Sequence, residues 1–137
     1  MTLRLAHTYQ ILEGATAKAE ELAAKVAIVV LDGRGDLKAA IRLDGAQWRA
    51  VPIAQGKAFA AAIHDLPSGE LAARADSPVM RALMIHERGG IIPVQGALPI
   101  RRDGEPLGAV GISGAPTSQL DEDIAAAGIA AIDWSAA

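Results

Sequence analysis

Residues 26–42 read VAIVVLDGRGDLKAAIR, and this stretch decides the fold class. Val26 to Leu31 is an apolar, largely β-branched run too short for a helix. Asp32-Gly33-Arg34-Gly35-Asp36 then supplies residues that tolerate positive φ in a tight connection, and Leu37 to Arg42 returns as a second strand. The stretch therefore predicts a β-hairpin. Further on, Asp103-Gly104 sits between strand-like runs over about 97–102 and 105–113, the strongest hairpin signal in the chain. Hairpin-linked strands imply an antiparallel sheet, unlike the strict strand–helix alternation of a parallel one.

Outward from the first hairpin, residues 5–24 carry apolar rows through Leu5, Leu12 and Ala19 and through Ile11, Ala15 and Leu22, the spacing of a helix burying one stripe. Pro52 opens a helix over about 52–64, where a first turn tolerates a missing N–H. Ser68 and Ser77 are placed to cap two short helices, over about 69–74 and 79–86. A further strand is expected over about 91–94, and Ser118 with Asp121 fits a capping box opening a last helix over about 118–132. The expected order is α-β-β-α-α-α-β-β-β-α. That order predicts an α+β protein with a five-stranded antiparallel sheet flanked by helices, in a single domain over 1–137.

Composition narrows the partners. Of the 137 residues 51% are hydrophobic but only 3% aromatic, and 30 are alanine, so close backbone approach must replace bulky side chains in the interior. Thirteen Lys+Arg against 16 Asp+Glu give a net charge of −3 with no basic block, which argues against nucleic acid. The absence of cysteine excludes disulfides, thiolate metal sites and a cysteine nucleophile. No apolar run approaches the ~20 residues of a membrane span, and no leader is read at the N-terminus, so the expected location is the cytoplasm and no membrane partner is expected.

Several strings, taken together, carry a resemblance: Ile11-Leu12, Val30-Leu31-Asp32-Gly33-Arg34-Gly35-Asp36-Leu37, Arg42-Leu43-Asp44-Gly45, Ala54-Gln55-Gly56-Lys57-Ala58, Gly96-Ala97-Leu98-Pro99-Ile100, Gly108 to Ala115, and Asp121-Glu122-Asp123-Ile124-Ala125. The chain resembles the GlcG/HbpS family of small haem-binding-type proteins, which includes the C-terminal domain of PduO. The resemblance implies a profilin- or PAS-like layout, assembly into dimers and higher oligomers up to octamers, and haem as a ligand. The chain departs from the family at Val94-Gln95-Gly96-Ala97, where a glycine-rich lead is usual, and at Arg88-Gly89-Gly90, where an Asn-Gly-Gly-like turn is usual.

The polar residues offer few constellations. His7, His64 and His86 have no recurring metal spacing, but one imidazole suffices as an axial haem ligand. His86, beside Glu87 and Arg88 at a helix end, is the candidate; the other reading is a solvated histidine favouring the helix dipole. Lys57 issues from a small-residue helix face, with Arg42 and Asp44 just before that helix. These charges could clamp a ligand carboxylate, or Lys57 could reach solvent or pair with Asp44. The resemblance also marks Lys57 and Asp44-Gly45. The candidate ligand-binding set is thus Arg42, Asp44, Lys57, His86 and Arg88.

Other features read as structural. Asp32 suits a turn acceptor, and Gly108, Gly111 and Gly114 match neither a dinucleotide fingerprint nor a P-loop and suit close packing. Ser113 lies in a near miss of the nucleophile elbow, in the wrong setting. Trp48 and Trp134 suit an interface or ordinary partial burial. Two functions compete: an oligomeric small-molecule- or haem-binding protein, and a cofactorless proton-transfer, isomerase- or lyase-type enzyme on a small organic acid. In the second, Lys57 and Arg42 would bind the carboxylate while His86 or Glu87 moves a proton. A purely structural oligomer is a third reading.

Overall fold

Two hairpins lie side by side to make the sheet of this computed structural model, which describes residues 1–88 and 90–135. Strands β1 (Ala27–Asp32) and β2 (Leu37–Arg42) form the first hairpin, β3 (Ala97–Arg102) and β4 (Glu105–Ser113) the second. β1 and β4 pair in the middle, with Val29 opposite Gly111, giving the antiparallel order β2-β1-β4-β3. Both turns follow from their residues. Asp32 Oδ1 accepts from the Arg34 and Asp36 N–H groups at 2.9 and 3.0 Å, and Asp103 and Gly104 both take positive φ, as a two-residue hairpin requires.

Because side chains alternate across a strand, β1 and β4 feed two separate cores. Ile28, Val30, Val110 and Ile112 face α1 (Leu5–Glu21) and α5 (Ser118–Ala130), meeting Ile11, Ala15, Ile124 and Ala125. Ala27, Val29, Leu31 and Ala109 face α2 (Ala50–His64), meeting Ala50, Ala54, Ala58 and Ala61. Each fully buried Ile or Val contributes about 1.5–3 kcal/mol. The α2 face has smaller side chains and gains its packing from proximity: a Cβ at Gly111 would run into the Ala54 carbonyl. The alanine-rich composition thus becomes a helix lying nearly on the sheet.

A smaller cluster of Ala60, Leu71, Met80 and Ile91 holds α3 (Ser68–Leu71), a 3-10 turn (Ala72–Arg74) and α4 (Pro78–His86) beside α2. The expected helix over 69–74 is therefore split. Ser77 caps α4 as expected, accepting from Met80 N–H. Ser68 does not cap α3. It is buried, and its hydroxyl accepts from Ala97 N–H at 2.9 Å, tying α3 to the start of β3. At α5 the cap is Thr117, not Ser118, with its hydroxyl accepting from Leu120 N–H.

The expected fifth strand is absent, correcting the order to α-β-β-α-α-(3-10)-α-β-β-α with four strands. Residues 91–94 lie on α2 instead. Ile92 N–H donates to the Gly56 carbonyl at 3.1 Å, Val94 N–H donates to the Ile92 carbonyl at 2.9 Å, and Pro93 has no donor for a ladder. Gly89, half of the Gly-Gly turn read after His86, lies outside the described residues. No described helix is long and apolar enough to cross a membrane.

Candidate functional site

Pro52, Gln55 and Phe59 share one face of α2, at the helical spacings of three and four residues, and form one wall of an open cleft of about 390 Å³. Gly35 of the β1–β2 turn closes one side. Its missing side chain makes room for the Phe59 ring, since a Cβ there would stand 2.6 Å from the ring edge. Glu87 and Arg88 form the opposite wall as the chain leaves α4, with Arg88 in the left-handed region at φ 54°. The Arg88 side chain is exposed and makes no ion pair among the described residues. His86, the last residue of α4, is exposed beside this wall, with Nδ1 3.5 Å from Glu87 Oε1. The cleft therefore offers an aromatic and proline surface facing a cation, within the ~300–1,000 Å³ of small-molecule sites, and His86 itself does not line it.

Lys57 belongs to a different arrangement. On α2 but turned away from the cleft, it passes Gly96 at the start of β3, and its ammonium donates to the Ile112 carbonyl at 3.1 Å and to Asp121 Oδ2 at 3.2 Å. Asp121, in the first turn of α5, also accepts from Ala115 N–H at 2.9 Å. Burial pushes the Asp121 carboxyl above its ordinary range, while the Ala115 N–H and the Lys57 charge pull it back. The carboxylate that Lys57 holds is thus one of the chain's own. It neither reaches solvent nor pairs with Asp44.

The other candidates stand apart from Lys57. Arg42 ends the exposed edge strand β2, and Asp44 is exposed in the loop that follows. Of the five candidate residues, only Arg88 lines the cleft, with His86 adjoining it. The sequence reading took neither Phe59 nor Gln55 as a site residue and gave Asp121 only a capping role. Asp121 did leave a signal, for it shares the stripe Ile124, Ala125 and Gly128 that α5 buries, and an acid in an apolar stripe calls for a partner. His7 is buried against Trp134, with ring centroids 4.9 Å apart; its Nδ1 accepts from Arg4 N–H and its Nε2 is enclosed without a partner among the described residues.

A family described as "haem degrading protein HbpS-like" matches residues 3–130. The chain belongs to the HbpS-like family. This HbpS-like chain is 31% identical over 134 residues to the corrinoid adenosyltransferase PduO of Citrobacter freundii, and spans only 40% of that relative's length. Its fold is similar to a crystal structure of a PduOC:heme complex, with a TM-score of 0.87 and 27% identity over 97% of this chain and 96% of that one. It is also similar to HbpS of Streptomyces reticuli in a doubly substituted form, with a TM-score of 0.85 and 30% identity over 97% of this chain and 88% of that one.

Proposed function

We propose that this HbpS-like protein is a cytoplasmic, self-associating small-molecule-binding protein whose ligand is haem, held in the cleft between α2 and the end of α4. The observation that carries the reading is the cleft itself, where the Phe59 and Pro52 surface faces Arg88, which makes no ion pair among the described residues, while exposed His86 precedes the Glu87–Arg88 wall in sequence. It occurs in a chain that shares its fold with a haem complex.

The residues present fit the group. A porphyrin face needs an apolar wall, which Phe59 and Pro52 supply, and its propionates need a cation at the mouth, which Arg88 supplies. Among the three imidazoles, that of His7 is enclosed and His64 Nδ1 lies 2.9 Å from the Ala60 carbonyl, whereas His86 is exposed beside the cleft. Bound haem would bring its own iron redox chemistry. The protein would hold the group with Phe59 and Pro52 against its face and Arg88 on its propionates, and His86 would supply a nitrogen ligand to its iron.

The cofactorless-enzyme reading is not favoured. It needs the Lys57 ammonium offered to a substrate carboxylate, but Asp121 and the Ile112 carbonyl take it up in a buried setting, and Arg42 lies on an exposed strand edge.

Hemin titration followed at the Soret band tests the proposal. Saturable binding is expected, with the band of the ligated form lost in His86→Ala and affinity lowered roughly tenfold in Arg88→Gln, the loss of one charged hydrogen bond. Non-saturable absorbance, or binding indifferent to both substitutions, overturns it.

A further inference from the structure

A second cleft, of about 400 Å³, lies at the N-terminal end of α2, on the opposite side of that helix's first turns from Pro52 and Gln55. Lys25, Gly45, Gln47, Arg49, Ile53 and Ser113 bound it, two of them cations and none an acid. Neither Lys25 nor Arg49 makes an ion pair among the described residues. The Lys25 stem crosses the open face of Gly45, and the Arg49 guanidinium rests over the Trp48 ring at 5.7 Å and donates weakly to Gln47 Oε1 at 3.5 Å.

Two further observations point to a ligand. The start of α2 has no side-chain cap, and with Pro52 lacking a donor and Ala50 and Ile53 already bonded, Val51 N–H in the first turn has no partner among the described residues. A free amide at a helix start favours an anion. Independently, Ser113 is only 8% exposed, and its hydroxyl makes no hydrogen bond among the described residues. Ser113 shares the sheet face of Ala109 and Gly111, so it points toward the start of α2. The Ser113 oxygen is not sealed from solvent, so its hydroxyl is open to the cleft and available to a ligand.

We infer that this cleft binds a small oxyanion, a carboxylate or phosphate group, between the Ser113 hydroxyl, the Val51 N–H and the cations of Lys25 and Arg49. Any hydrocarbon part of the ligand would rest against Ile53. The site is separate from the haem cleft and stands or falls without it.

The test uses the whole chain at low ionic strength, titrated with inorganic phosphate in one arm and malonate in the other, followed by amide shifts in a two-dimensional NMR spectrum. The expected result is saturable shifts centred on Val51, Ser113 and Gly114 in at least one arm, and the arm that saturates names the oxyanion. Arg49→Gln and Lys25→Met alter exposed side chains while keeping most of their stems, and each should weaken binding roughly tenfold. Ser113→Ala should weaken it too, with its melting curve recorded alongside. Hemin binding should be unchanged in all three variants. Shifts spread over the surface lysines, no saturation in either arm, or affinity indifferent to Arg49→Gln and Lys25→Met would overturn the assignment.

Discussion

Lys57 on α2 and Asp121 on α5 meet around the end of the sheet, Nζ 3.2 Å from Oδ2, with side chains only 5% and 6% exposed. The two helices cover opposite faces, so this ion pair joins layers that the sheet otherwise separates. The route exists because Gly96, where β3 begins, has no side chain to block the lysine. Charges taken out of water in this way contribute little net stability as a pair, but removing one partner leaves the other stranded.

Lys57→Met keeps the length of the stem and removes the charge, stranding the Asp121 carboxylate. A loss of about 3–5 kcal/mol is expected from urea unfolding, and the double variant Lys57→Met/Asp121→Leu should recover most of it. A single-variant loss below about 1 kcal/mol, the range of an exposed pair, would contradict the buried geometry.

The Asp121 carboxyl also predicts a pH dependence. Its folded-state position lies above the ordinary 3.8, with burial as the leading cause, so between those two values the folded chain binds more protons than the unfolded one. Stability from this group therefore rises as pH falls through that window and is lost as pH rises through it. Half-buried Asp65, lowered by its hydrogen bond from Arg101, acts in the opposite sense. Unfolding midpoints of wild type and Asp121→Asn, compared from pH 7 to pH 3, isolate the Asp121 part: wild type should gain on the variant as the solution becomes more acid. A constant gap would show that Asp121 does not titrate differently on folding.

Gly96 offers an independent check on the same relationship. Its φ of 142° disfavours a side chain, and a Cβ there would lie 2.7 Å from Lys57 Nζ and 2.8 Å from the Ile112 carbonyl oxygen. Gly104, also at positive φ, has nothing within 4 Å of such a Cβ. Gly104→Ala should cost only the backbone strain, about 1–2 kcal/mol, while Gly96→Ala adds the collision and the displaced ammonium and should cost clearly more. Equal thermal shifts for the two variants would remove Gly96 from the account of the ion pair.

Local rules made most of the fold legible. The Asp-Gly turn, the β-branched run at Val26–Leu31 and the stripes of the first and last helices each act over a few residues, and each formed where expected. Residues 91–94 misled because a short apolar run can serve a strand or a helix surface equally, and only the tertiary bond from Ile92 to Gly56 decides. Ser68 misled in the same way, since its partner Ala97 lies 29 residues on. Lys57 stood out correctly as a polar residue on an alanine face, but its partner lies 64 residues away on another layer, beyond any spacing argument. Arg88 drew notice because it follows His86 and Glu87 at a helix end, whereas Phe59, on the other wall of the cleft that Arg88 lines, is far off in sequence and no spacing argument joins the two.

The proposed self-association has a candidate contact surface on α4. Val79 and Ile85 are 70% and 80% exposed on a helix whose buried side is held by Met80, an apolar surface that a lone subunit leaves wet. Burying such side chains against a second copy would return about 1.5–3 kcal/mol each. Light scattering on the wild type at micromolar concentration should therefore give a mass above 14.1 kDa, and the melting temperature should rise with concentration, because association favours the folded state by mass action. Val79→Glu/Ile85→Glu places two charges where the contact would be desolvated, so the mass should fall toward the monomer and the concentration dependence should flatten. The subunit fold should survive, since neither side chain is buried within it. A wild-type chain that scatters as 14.1 kDa at every concentration would sink self-association altogether. An oligomer that withstands both glutamates would move the contact off α4, to another exposed apolar group such as Leu5 and Tyr9 on α1.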